Sequence, residues 1–153
     1  MKQDPTHIFR TYIENSVGSR LENWNELSLC INSRLYRRGE PVVREGQKFP
    51  YEIFFSEGIV RTFLISEEDT EVNTGFYEGP QIASPYFTRN INHTHLVNIQ
   101  ALTSCVAILI DAEKFGRLIH EFHDIKTFAY QVVEHKHQLK THKEKAFATR
   151  SAA

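Results

Sequence analysis

The chain has 153 residues, 41% hydrophobic and 24% charged, the balance of one globular unit and not of a disordered or fibrous chain. Eighteen basic residues against nineteen acidic ones leave a net charge of -1, so no overall field draws it to nucleic acid or anionic lipid. No apolar run approaches a membrane span, the N-terminus has no apolar signal core, and the two cysteines, Cys30 and Cys105, form no CxxC pair, so a cytoplasmic protein without disulfides or membrane contact is expected.

The first element is a helix from Asp4 to about Val17. Asp4 suits its cap, Pro5 its first turn, and Gly18 its stop. Ile8, Phe9, Tyr12, Ile13 and Val17 recur at helical spacing and form one apolar face. A short second helix is expected over Leu21 to about Leu29, with Leu21, Trp24 and Leu27 facing inward. From Ser33 to Ile110 the pattern becomes short runs rich in Val, Ile, Phe, Tyr and Thr. The predicted strands are Arg34–Tyr36, Pro41–Arg44, Tyr51–Phe55, Ile59–Ile65, Glu71–Tyr77, Gln81–Ala83, Leu96–Leu102 and Val106–Ile110. Turn residues separate them, among them Arg38-Gly39-Glu40, Glu45-Gly46-Gln47 and Ser66-Glu67-Glu68-Asp69. Many short strands at even spacing predict an antiparallel barrel or jelly roll.

After Ile110 the period turns helical. Asp111 caps a helix from Ala112 to about Phe122, with Phe115, Leu118 and Ile119 inward and Glu113 and Glu121 solvated. A long helix follows from about Asp124 to Lys145, striped by Ile125, Phe128, Ala129, Val132, Val133 and Leu139. That stripe serves either to fold back on the roll or to pair with a second copy. The organisation is one domain: helices over 1–30, a β-roll over 33–110 and helices over 111–147.

At this point the sequence resembles the sensor domain of the catabolite activator and fumarate–nitrate regulator family, which is cyclic-nucleotide-binding-like. The segments that carry the resemblance are Arg37–Gly46, Ile53–Arg61, Phe76–Gly79 and Ala101–Ile110, in their expected order and spacing between flanking helices. The resemblance implies a mainly β double-stranded β-roll with flanking helices, and a long C-terminal helix that forms a homodimer. It implies ligand sensing for transcription regulation or signalling, with no enzymatic activity.

Two departures stand beside it. Cyclic-nucleotide binders in the family use a Gly-Glu pair, whose Glu accepts from the ribose, and a later Arg that neutralises the cyclic phosphate. Here Ala83 and Ser84 stand at the Gly-Glu positions, and Thr94 or His95 at the Arg, so cyclic AMP and cyclic GMP lose their main partners. Arg89 lies too early to replace it. The chain also reaches Ala153 without a winged helix-turn-helix, so no DNA contact is expected from these residues and the ligand is an unidentified small molecule.

The ligand-binding candidates are Arg61 on the roll wall, Ser84, Tyr86, Arg89, Thr94 and His95 in the cassette, and Phe128 on the long helix. His93-Thr94-His95 also resembles the opening of a cupin metal set, although the carboxylate and the third His of that set have no counterpart. The group at His135, His137 and His142 lacks i, i+4 spacing and reads as a solvated basic helix end. Cys105 reads as a buried hydrophobe, and Cys30 has no neighbour that would activate its thiol. No GxSxG, P-loop or dinucleotide fingerprint is present. Two alternatives stay open: a ligand-free pairing module whose pocket is plugged by Tyr86 or Phe87, and a metal-dependent cupin-like protein using His93 and His95.

Overall fold

The computed structural model describes residues 3–83 and 96–131. Local chemistry sets the first helix, α1 (Pro5–Val17). The Asp4 side chain accepts from the Thr6 N–H at 3.0 Å, and Gly18, at φ 81, donates its N–H to the Glu14 carbonyl at 2.8 Å. A carboxylate satisfies an orphan donor at one end, and a left-handed residue satisfies an orphan acceptor at the other.

The second helix, α2 (Trp24–Ser28), is shorter than the Leu21–Leu29 span the pattern predicts. Leu21 and Leu27 are buried as expected, but Asn23 adopts a non-helical conformation with both its donors turned to Asp124. A long-range hydrogen bond outcompetes the local helix here.

Among the described residues eight strands follow: β1 (Ile31–Tyr36), β2 (Pro41–Val43), β3 (Tyr51–Glu57), β4 (Ile59–Ile65), β5 (Glu71–Glu78), β6 (Gln81–Ile82), β7 (Asn98–Ala101) and β8 (Cys105–Asp111). They form two four-stranded antiparallel sheets, in the orders β1-β8-β3-β6 and β2-β7-β4-β5. This is the β-roll expected from the sequence. Strand β1 begins three residues before the predicted run, because Ile31 pairs with Ile110 and extends the ladder. Strand β7 is shorter than Leu96–Leu102.

Two tight turns repeat one design. In Arg37–Glu40 and Arg44–Gln47 the fourth residue donates its N–H to the first carbonyl at 3.0 Å. Its side chain reaches back to accept from the first residue's N–H, at 2.8 Å for Glu40 and 3.0 Å for Gln47. Glycine fills the third position at φ 83 in both, as a type II turn requires.

The two faces of the first sheet explain its sequence. Strand β3 is buried almost throughout, so it reads as a continuous apolar run and not as an alternation. Ile53, Phe55, Ala107 and Leu109 point into the roll and pack with Val43, Val60, Ile99 and Ala101 of the second sheet. Phe54, Ile82, Ile108 and Ile110 point the other way, onto Phe9, Ile13, Leu27, Phe115, Ile125 and Phe128 of the helices. The molecule is therefore layered: helices, first sheet, second sheet. The second sheet's far face meets solvent, where Phe76 is 60% exposed.

Helix α3 (Ala112–Glu121) is capped by Asp111, whose side chain accepts from the Lys114 N–H at 3.0 Å. Phe115 is buried, and Leu118 and Ile119 pack beside it. A further helix begins at residue 123 and is described to residue 131. Its first apolar residues, Ile125, Phe128 and Ala129, fold back on the core; Val132, Val133 and Leu139 lie outside the described residues. No helix among the described residues is long and apolar enough to cross a membrane.

Two carboxylates are held below their ordinary range. Burial pushes the Asp124 carboxyl up, but hydrogen bonds from Asn23 and Ile125 outweigh it and bring it down. For Glu14 the Leu21 N–H is the largest cause and lowers it. A depressed carboxylate adds stability above its unfolded pKa of about 4, and that stability is lost as pH falls through the lower folded value. The thermal midpoint should therefore drop below about pH 4. The double variant Glu14→Gln, Asp124→Asn should show a shallower acid limb, and an unchanged limb would count against these two groups.

Candidate ligand site

The segment between β6 and β7 is the place where the resemblance puts a ligand. Both of its ends are pinned to the roll. On the β6 side, Ala83 is buried in the roll core and its N–H donates to the Ile53 carbonyl at 3.1 Å. On the β7 side, Val97 packs against the same core. Asn98, 9% exposed, then accepts the Glu45 N–H at 2.9 Å and donates its amide to the Phe63 carbonyl at 3.3 Å. One side chain thus ties the segment's exit to the β2–β3 loop and to β4. Asn98 is not among the candidates the sequence offers; its signal there is one polar residue between the apolar Val97 and Ile99.

The cassette candidates Ser84, Tyr86, Arg89, Thr94 and His95 lie outside the described residues, and so does His93. Arg61 and Phe128 are described, and the structure does not bring them together. Arg61 pairs across strands with Phe76 and Gln100, on the face of the second sheet opposite the buried Val60 and Thr62. Its Nε donates to Gln100 Oε1 at 2.9 Å, Nη1 to Asn73 Oδ1 at 2.9 Å and Nη2 to Glu71 Oε2 at 2.8 Å. The guanidinium also lies 4.0 Å from the Phe63 ring centroid. The fork is thus spent on its own sheet, in an interaction of the modest strength usual for a surface network.

Phe128 is 1% exposed in the helical layer and meets the Tyr12 ring edge-on at 6.4 Å. Both sheets of the roll stand between it and Arg61. No small molecule in the roll touches both in this arrangement.

Thr62 and Thr74 share a hydrogen bond of 2.7 Å, and burial pushes the Tyr77 hydroxyl upward. The cysteines sit among packing residues, and burial is the first cause raising both thiols, which favours the protonated form. Among the described residues, no group of three His, Cys, Asp or Glu side chains is placed to hold a metal ion.

No protein-family model and no curated protein sequence matches the chain. Solved structures do. A transcriptional regulator of Thermotoga maritima aligns with TM-score 0.64 at 22% identity, over 83% of this chain and 97% of its own. A putative cAMP-binding regulatory protein of Silicibacter pomeroyi aligns at 0.68 and 18% identity, over 91% of this chain and 65% of its own. The catabolite activator protein of Thermus thermophilus aligns at 0.66 and 14% identity, over 95% and 63%. This chain has the fold of the cyclic-nucleotide-binding-like sensor domain found in transcription regulators, and it spans under two thirds of the length of the last two.

Proposed function

We propose that this chain is a ligand-sensing regulatory domain without catalytic activity, and that a small molecule other than a cyclic nucleotide binds beside the segment joining β6 and β7. The observation that carries this is the combination of a fold shared with such sensors and a cassette that lacks their phosphate partner. The ends of residues 84–95 are fastened to the roll, while Thr94 or His95 stands where a permanent cation is needed. A neutral or singly hydrogen-bonding side chain does not replace an Arg–phosphate pair.

The related structures support diverged specificity. Their names record bound cAMP in one, dependence on carbon monoxide in another and o-chlorophenolacetic acid in a third. One roll thus serves ligands of unrelated chemistry, because function lives in the loops and not in the fold. The contact residues in this proposal are Ser84, Tyr86, Arg89, Thr94 and His95. Arg61 and Phe128 are left out, since one is spent on the outer sheet face and the other is buried among the helices. The helix starting at residue 123 is proposed to continue into a homodimer contact, with binding in the roll altering the helix pair.

Native mass spectrometry of the untagged chain, with and without cyclic AMP and cyclic GMP, tests this. The expected result is a dimer that takes up neither nucleotide stoichiometrically. Uptake of one nucleotide per chain would overturn the specificity, and a monomer would overturn the dimer.

A further inference from the structure

Asn23 and Asp124, separated by 101 positions in the chain, meet at the edge of the helical layer. The Asn23 side-chain amide donates to Asp124 Oδ1 at 2.9 Å, and the Asn23 backbone N–H donates to Oδ2 at 3.2 Å. Asp124 Oδ1 also accepts the Ile125 N–H at 2.9 Å. One carboxylate therefore grips the turn after α1 and the first turn of the helix that starts at residue 123.

The two sides of this joint differ in stiffness. The Asn23 side is tied down. Leu21 is 1% exposed, and its N–H donates to Glu14 Oε2 at 2.8 Å. Trp24 packs on Phe9 at 6.1 Å, with the Arg10 guanidinium 5.4 Å from its ring centroid. Phe9 in turn lies 4.9 Å from Phe54 of the sheet. The turn, α1 and the first sheet thus form one packed block.

The Asp124 side has a pivot. Helix α3 ends at Glu121, Phe122 is extended at φ -121 and ψ 121, and the next helix starts at once. A single non-helical residue between two helices can absorb a change of angle with little other rearrangement. Beyond it, Ile125 and Phe128 hold the helix by apolar contact. Packing at Ile125 and Phe128 resists withdrawal from the core but is non-directional, whereas a carboxylate holding two donors from one residue fixes an orientation.

We propose that Asn23 and Asp124 form a latch that sets the angle of the helix beginning at residue 123 against the first sheet, and that releasing it lets this helix pivot at Phe122 while the roll stays folded. Asp124 acts as a positioning residue. The latch stands independently of what the roll binds.

Amide hydrogen exchange on the full chain tests it, comparing wild type with Asn23→Ala, Asp124→Asn and the double variant. Amides of residues 126–131 are expected to exchange about ten to a hundred times faster in either single variant, the effect of losing hydrogen bonds to a charged group. The double variant should be no faster than the worse single one, because both act on one joint. Amides of β3, β4 and β8 should keep their wild-type rates. Faster exchange of the strands by the same factor would mean a general loss of stability and would overturn the latch. Unchanged exchange at 126–131, or additive effects in the double variant, would overturn it as well.

Discussion

Truncating Phe54 to alanine is expected to cost about 4 kcal/mol, a large part of the roughly 5–15 kcal/mol that holds a domain of this size together. Phe54 is fully buried and sits where three elements converge. Its ring lies 4.9 Å from Phe9 and 5.1 Å from Tyr12 of α1, on a strand hydrogen-bonded to both β6 and β8. Neighbours fixed to a sheet and a helix collapse poorly into the space a lost ring leaves, so the cavity persists and its cost adds to the lost transfer energy. Urea unfolding reads this as a lower midpoint at unchanged slope. The comparison is Phe76→Ala, on the solvent face at 60% exposure, which should stay within about 0.5 kcal/mol of wild type. Equal losses in the two variants would refute the layered description, in which only one sheet carries the helices.

Gly58→Ala should be nearly as damaging, at about 3–4 kcal/mol, from two costs that add. The residue sits at φ 105 in the one-residue connection that carries the chain from β3 in the first sheet to β4 in the second, outside the range L side chains favour. A Cβ there would also stand 2.6 Å from both Cys105 Sγ and the Ser104 carbonyl, and 2.8 Å from Cys105 Cα. Two of those atoms are backbone, one in the β7–β8 connection and one at the start of β8, and cannot swing aside as a side-chain tip would. Gly39→Ala separates the terms. Its φ is 83, but nothing lies within 4 Å of the added Cβ, so only the conformational cost of about 1 kcal/mol should appear. A thermal melt ranks the two, with the Gly58 variant melting on the order of 10 °C lower than wild type. Similar melting points for the two variants would show that Gly58 does not approach Ser104 and Cys105 as closely as described.

The sequence already carries the local parts of this architecture. Asp4, Gly18 and Asp111 sit within four residues of the groups they satisfy, so cap and helix are read from the same short stretch. The Arg37–Glu40 and Arg44–Gln47 turns are legible for the same reason, as is the split of β-rich and helical periods that marks a roll between helices. Strand β4 matches its predicted bounds because apolar residues are bracketed by a glycine and an acidic turn.

The tertiary structure decides what depends on pairing between distant strands. Strand periodicity gives two faces but does not say which one looks into the roll. Register against Gln100 and Phe76, with an irregularity between Thr62 and Phe63, turns Arg61 outward and consumes its donors there. Phe128 has the apolar stripe expected of a helix, and only packing assigns it to Tyr12 and the helical layer. Asn98 and Asn23 look like ordinary polar residues in the sequence. Their weight comes from partners 53 and 101 residues away, which a reading confined to local propensity does not reach. Interactions closing within one turn are written in the residues themselves, whereas those that need two sheets and a helical layer to meet exist only once the chain has folded.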